Sequence, residues 1–251
     1  MSKIKYAIIG GTGFENPEIL VDPKKIIMET PFGSPSSSIL TGTIGGIDVC
    51  LISRHGHHHE IPPSKVNNRA HIHAIRELEC THIIATTACG SLREEIGRGD
   101  LVFPDQFIDF TRFRVNTFFD HFREGELHHV AMADPFSPEL RNRLIQSAEQ
   151  LGFKYHPNGT VITIEGPRFS TRAESNMFRM WGADIINMSI APECILANEA
   201  GIPYVAVALS TDYDSWKSEE DPVTWQEVMN VFRQNVDRVI RLIVHSISEN
   251  H

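Results

Sequence analysis

The chain has 251 residues, 41% of them hydrophobic and 22% charged, which is ordinary for a globular protein with a substantial core. Its 23 basic and 32 acidic residues leave a net charge of −9, an argument against a nucleic-acid or anionic-membrane partner. The four cysteines, Cys50, Cys80, Cys89 and Cys194, form no CxxC pair and no zinc-ligand spacing, so free buried thiols in a reducing compartment are expected. The amino terminus leads directly into a strand without a signal-peptide apolar stretch, and no run approaches membrane-spanning length. A soluble, cytoplasmic protein is the expectation.

In chain order, β-like runs are predicted at residues 6–9, 47–52, 82–85, 101–104, 159–164, 185–188 and 203–209. Helix-like stretches lie between and after them, at residues 70–78, 138–151, 171–181, 191–200 and 225–247. The second helix starts on a serine cap, Ser137, with Pro138 at its first position. The last carries an apolar face of Val228, Val231, Val236, Val239, Ile240 and Ile243. This alternation predicts an α/β fold, a mixed and mostly parallel sheet flanked by helices. No repeat or linker composition appears, so one domain over residues 1–251 is expected. Residues 109–133 are aromatic, rich in histidine and poorly periodic, and read as a long functional loop or subunit-contact segment.

Chemistry concentrates where the runs end. After residues 82–85 come Thr86, Thr87, Ala88, Cys89, Gly90 and Ser91, two hydroxyls and small residues at the end of a strand where open α/β sheets bind ligands. The first run ends in Gly10-Gly11-Thr12-Gly13. A nicotinamide fingerprint would need a third glycine where Asn16 stands, and Pro17 follows, so anion cradling or a plain tight turn fits better. Arg54-His55-Gly56 pairs a fixed charge with a titratable ring, and Thr12, Arg54, His55 and Thr87 together supply the donors a bound oxyanion such as phosphate requires. The histidine run 55–59 invites a metal, with His57 and His59 on one strand face, but no HExxH or second ligand cluster supports it. Asp212 and Asp214, two apart on an extension of the last run, would point the same way toward a ligand edge carrying donors, or form a solvated turn. Phe169, after Glu165-Gly166-Pro167-Arg168, would stack on a base or sit in the core, and both readings stay open. The run 185–188 ends in Asn187, Met188 and Ser189, a pattern that any buried strand end can show.

The words GGTG, TPFG, RHG, PSKVN, TTACGSLREE, DQFID, TIEGPRFSTRAES, WGADIINM and TDYDSWK, in this order from about residue 4 to residue 217, resemble the S-methyl-5′-thioadenosine phosphorylase family of the trimeric purine nucleoside phosphorylases. The resemblance implies that fold and a homotrimer. It implies phosphorolysis, in which phosphate attacks the anomeric carbon through an oxocarbenium-like transition state and the base leaves. Inorganic phosphate is then a co-substrate, with no cofactor and no metal. By the resemblance, Thr12, Arg54, His55, Thr87, the Ala88 amide and Ser189 hold phosphate. Phe169, Asn187, Met188, Asp212 and Asp214 hold the nucleoside, with Asp212 and His55 as the catalytic pair. Ser170, Trp225, Met229 and a histidine offered across the trimer interface, His129, set specificity. Two departures leave the 5′ preference open. Trp225 stands where relatives place a small aliphatic residue, and the sequence stops at His251, short of the extension of longer relatives. A nucleosidase would need a carboxylate base in place of the cationic pocket, and a purine sensor would not need the phosphate donors.

Overall fold

The computed structural model describes residues 4–11, 18–220 and 223–249. In chain order its elements are β1 (Lys5–Gly10), β2 (Val21–Ile26), β3 (Ile39–Ile44), β4 (Ile47–Ser53), α1 (Asn68–Glu77), β5 (His82–Ser91), β6 (Leu101–Val102), β7 (Gln106–Phe110), α2 (Pro138–Gln150), β8 (Tyr155–His156), β9 (Thr160–Ile164), α3 (Arg172–Met180), β10 (Ile185–Asn187), α4 (Ile190–Glu199), β11 (Tyr204–Asp212) and α5 (Trp225–Ser248). Among the described residues, eleven strands form one mixed sheet whose main path runs β2-β3-β4-β1-β5-β10-β9-β7, with β11, β6 and β8 branching from β5. The central pairs β1–β4, β1–β5 and β5–β11 are parallel, as the strand–helix alternation predicts.

Side-chain alternation along the central strands builds a core on each face. In β1, Ala7 and Ile9 pack with α1 and α4, whereas Tyr6 and Ile8 pack with α2 and α5. A third cluster joins Phe178 of α3 to Ile162 and Ile186 of β9 and β10. Helix starts follow local chemistry. Ser137 accepts from the Leu140 amide with Pro138 at the first position, and Thr171–Glu174 and Thr224–Glu227 form capping boxes at α3 and α5. Residues 111–134 contain no helix or strand, so most of the anticipated loop is one, although β7 takes its first two residues. Among the described residues, no helix is long and apolar enough to cross a membrane.

Candidate active site

A cavity opens where β1 and β10 separate along β5. β5 pairs with β1 as far as Ala85 and with β10 only from Gly90, so residues 86–89 keep β11 as their strand neighbour. Such a divergence at the carboxyl ends of parallel strands is where α/β sheets take ligands. Backbone groups alternate sides along a strand, and the Ile83 amide points to the β11 side, where it meets the Pro203 carbonyl. Those of Thr86 and Ala88 therefore point to the open edge. Arg54 Nη1 reaches the Thr86 carbonyl there at 2.8 Å, and the Ala88 N–H faces the opening.

Arg54, 1% exposed, follows directly on β4 and is held as a fixed fork. Its Nε and Nη2 both donate to the carboxylate of Glu193 in α4, Nη2 at 3.0 Å, and the Tyr204 hydroxyl donates to the same carboxylate at 2.9 Å. Gly11 makes room for this fork, because a Cβ there would lie 2.4 Å from Arg54 Nη1 and 2.4 Å from the Thr86 carbonyl oxygen. Sequence reasoning missed Glu193 and Tyr204. The available signal was an acid inside the otherwise apolar stretch Ile190–Leu196, since a charge placed in a core demands a partner. Thr12, the remaining residue expected at this end, lies outside the described residues.

Thr87 Oγ1 lies 3.0 Å from the Ala88 carbonyl and 3.2 Å from Ser189 Oγ, and it accepts from Asn187 Nδ2 at 3.3 Å. Ser189 stands at the N-cap of α4 without making a side-chain cap bond, so its hydroxyl stays with Thr87 and the positive end of the helix borders the pocket. His55 Nδ1 lies 2.9 Å from the Ile61 carbonyl. Burial, and then the Arg54 charge, push the ring's pKa down to about 3.

The opposite end of the cavity is acidic. Asp212 is the last residue of β11, whereas Asp214 opens a short 3₁₀ turn with φ at +44°. The two carboxylates therefore meet through that turn and not, as the sequence spacing implied, through strand alternation. Both are buried, which removes the solvated-turn reading. Thr211 Oγ1 and the Asp214 amide each donate to Asp212 at 2.8 Å, and Ser170 Oγ reaches the Asp214 oxygens at 2.6 and 2.8 Å. Burial raises the Asp212 pKa to about 6, with the neighbouring Asp214 charge adding to it, and burial also raises Asp214.

Phe169 lines the cavity between these ends, half-buried and outside the core clusters, alongside Asn187 and Met188. Trp225 and Val228 of α5 close a further wall, where the Trp225 ring lies 5.0 Å from His59 and the His59 ring stacks on His55 at 4.5 Å. Val228, not Met229, provides the second α5 side chain of that wall. His129 is exposed on the long loop with its ring against Phe122, away from this cavity. His57 and His59 stand in a turn, not on a strand. Among the described residues, no group of three His, Cys, Asp or Glu side chains is placed to hold a metal ion.

Fold and cavity together define an α/β enzyme that can present an oxyanion at one end of a pocket to a donor-bearing ring at the other. The chain belongs to the phosphorylase superfamily, whose sequence profile matches residues 5–248. It is 50% identical to the S-methyl-5′-thioadenosine phosphorylase of Thermofilum pendens over 98% of this chain and 92% of that one. It is 47% identical to the Anopheles gambiae protein of the same name over 98% and 89%. Among solved structures, methylthioadenosine phosphorylase from Schistosoma mansoni in complex with adenine superposes with a TM-score of 0.94 at 40% identity, covering 98% of this chain and 92% of that one.

Proposed function

We propose that this protein cleaves the glycosidic bond of S-methyl-5′-thioadenosine with phosphate, releasing adenine and 5-methylthioribose 1-phosphate. The observation that carries the reading is the coexistence, in one cavity, of an oxyanion end and a buried carboxylate with a raised pKa. Phosphate, at the edge formed by Arg54, Thr87, the Ala88 amide and Ser189, attacks the anomeric carbon as the bond to adenine breaks. The electron pair of that bond goes to the purine. Asp212, its pKa raised to about 6, donates in its protonated form toward the ring nitrogen that gathers the charge and so improves the leaving group. Asp214, fixed by Ser170, accepts from the exocyclic amine, a pairing that favours 6-aminopurines. Phe169 stacks near the base, and Asn187 and Met188 border the ribose. Thr12 joins the phosphate ligands by resemblance.

The chemistry calls for no cofactor or metal, only phosphate as co-substrate. We assign the chain one domain, which the family match over residues 5–248 supports, and by resemblance a cytoplasmic location and a homotrimer in which His129 reaches a neighbour's site. Adenosine is a second substrate on one specific observation. The Trp225 indole stands at the wall assigned to the 5′ group, where its N–H can meet a hydroxyl. A related solved structure, 39% identical with a TM-score of 0.93 over 98% of this chain and 91% of that one, is of an adenosine/methylthioadenosine phosphorylase mutant in complex with methylthioadenosine. The test follows adenine release from methylthioadenosine, adenosine and inosine with and without phosphate. Phosphate-dependent release from the first two, and little from inosine, is expected. Equal release without phosphate would make the protein a hydrolase.

A further inference from the structure

His55 is held more tightly than a surface histidine, and the way it is held fixes its chemistry. Its Nδ1 lies 2.9 Å from the Ile61 carbonyl, while the Ile61 amide donates back to the His55 carbonyl at 3.0 Å, so ring and main chain both close on one residue. A carbonyl oxygen only accepts, so Nδ1 carries the ring proton. The His59 ring stacked at 4.5 Å restrains the plane. Burial and the adjacent Arg54 keep the ring neutral, its pKa near 3. A neutral ring protonated at Nδ1 presents a lone pair at Nε2, on the edge turned away from Ile61. Position 55 is therefore an acceptor, where the sequence led us to expect a donor.

Net charge does little to choose among anions here. Arg54 shares its fork with Glu193, which is fully buried, so guanidinium and carboxylate cancel and His55 adds nothing. What remains to discriminate one tetrahedral dianion from another is the pattern of donors and acceptors around it.

We infer that His55 Nε2 accepts a hydrogen bond from the hydroxyl of the bound anion, so that the site selects hydrogen phosphate over tetrahedral dianions that carry no hydroxyl. The inference rests on the reading of this cavity as a phosphorolytic site. The hydroxyl is committed to His55, and the unprotonated oxygens face Arg54, the Ala88 amide and the hydroxyls of Thr87 and Ser189. An anion without a hydroxyl sets an oxygen lone pair against the Nε2 lone pair, and neither is satisfied.

The test uses phosphate, arsenate, sulfate and monofluorophosphate, a close analogue of hydrogen phosphate with fluorine in place of the hydroxyl, at a pH well above the second ionisation of phosphate. Direct calorimetric binding to the parent protein should show phosphate and arsenate alike, with sulfate and monofluorophosphate weaker by about tenfold or more. In His55→Gln the side-chain amide can turn either its oxygen or its N–H₂ to the anion. The preference should then fall to within about threefold, phosphate weakening and the other two gaining. Monofluorophosphate bound by the parent as tightly as phosphate would overturn the inference. So would nitrogen NMR of the parent that finds the His55 proton on Nε2, a measurement that needs no variant to fold. Absence of phosphate-dependent cleavage would instead remove the proposed activity, and the binding preference would still be measured on its own.

Discussion

Asp212 carries opposite demands on stability and on catalysis, and the two can be separated by pH. In an unfolded chain its carboxyl titrates near the usual value of about 3.9, whereas burial holds it near 6 in the folded protein. Below about pH 4 the group is protonated in both states. As pH rises through the interval up to about 6, the unfolded state releases its proton first, the folded state binds more protons, and folding stability falls. The contribution is present at low pH and lost above the folded pKa, the reverse of a salt-bridged aspartate. Asp212→Asn removes that dependence. Relative to the parent it should gain stability between about pH 4 and 6, reaching on the order of 2–3 kcal/mol near neutrality, read from denaturant unfolding at several pH values. The same variant should lose about 10²–10⁴ in kcat/KM, the usual worth of a general acid. A variant with an unchanged pH–stability profile would show that the carboxyl is not held protonated by its surroundings.

Among the elements, β5 decides the geometry of the site, and it is also where the sequence was hardest to read. All five helices were legible from period and caps, within a residue or two at most ends, and so was every central strand, because each reports its own environment through local apolar pattern. The second half of β5 was not. Thr86 through Ser91 have the hydroxyls and glycine of a turn, yet pairing with β11 as far as Gly90, and with β10 at Gly90 and Ser91, both about a hundred residues away, keeps them extended. β2 contains Pro23 and is exposed along most of its length, and Gly42 interrupts β3, so their pairing comes from neighbours and not from their own alternation. The Glu193–Arg54 pair was hidden for the same reason, its partners lying 139 residues apart. Gly90 gives this element a test. A Cβ there would come within 2.8 Å of Asp212 Oδ1 and 3.0 Å of the Ile186 side chain, so any larger residue at the point where β5 passes between β11 and β10 must push those side chains aside. Gly90→Ala should displace the carboxylate and raise the nucleoside KM about tenfold or more, leaving the phosphate KM within about twofold, since Arg54 and Thr87 lie beyond the clash. Equal changes in both constants would mean that the strand shifts as a whole.

For the whole molecule, the question is what covers the long loop at residues 111–134. It exposes Phe113 at 87% and Leu127 at 75%, with Val115, Phe122 and Val130 also open, more apolar surface than an isolated segment normally leaves in water. The loop is nevertheless anchored. Arg114, with its guanidinium buried, donates to the Met188 carbonyl at 2.6 Å and to the Glu165 carbonyl at 2.5 Å, and it pairs with the Glu165 side chain. An exposed apolar segment tied to the strand ends that present Met188 fits a contact between copies of the chain, in which each copy completes its neighbour's nucleoside site. Cyclic association would repeat one such contact around the ring. On the proposed homotrimer, sedimentation should give three subunits per particle. Replacing Leu127 with Asp should weaken assembly, so that specific activity falls on dilution while the parent's stays constant. The loss should appear in the nucleoside KM more than in the phosphate KM, because the residues proposed to hold phosphate all come from one chain. A parent protein that is monomeric at every concentration and fully active would rule out both the trimer and the part given to His129.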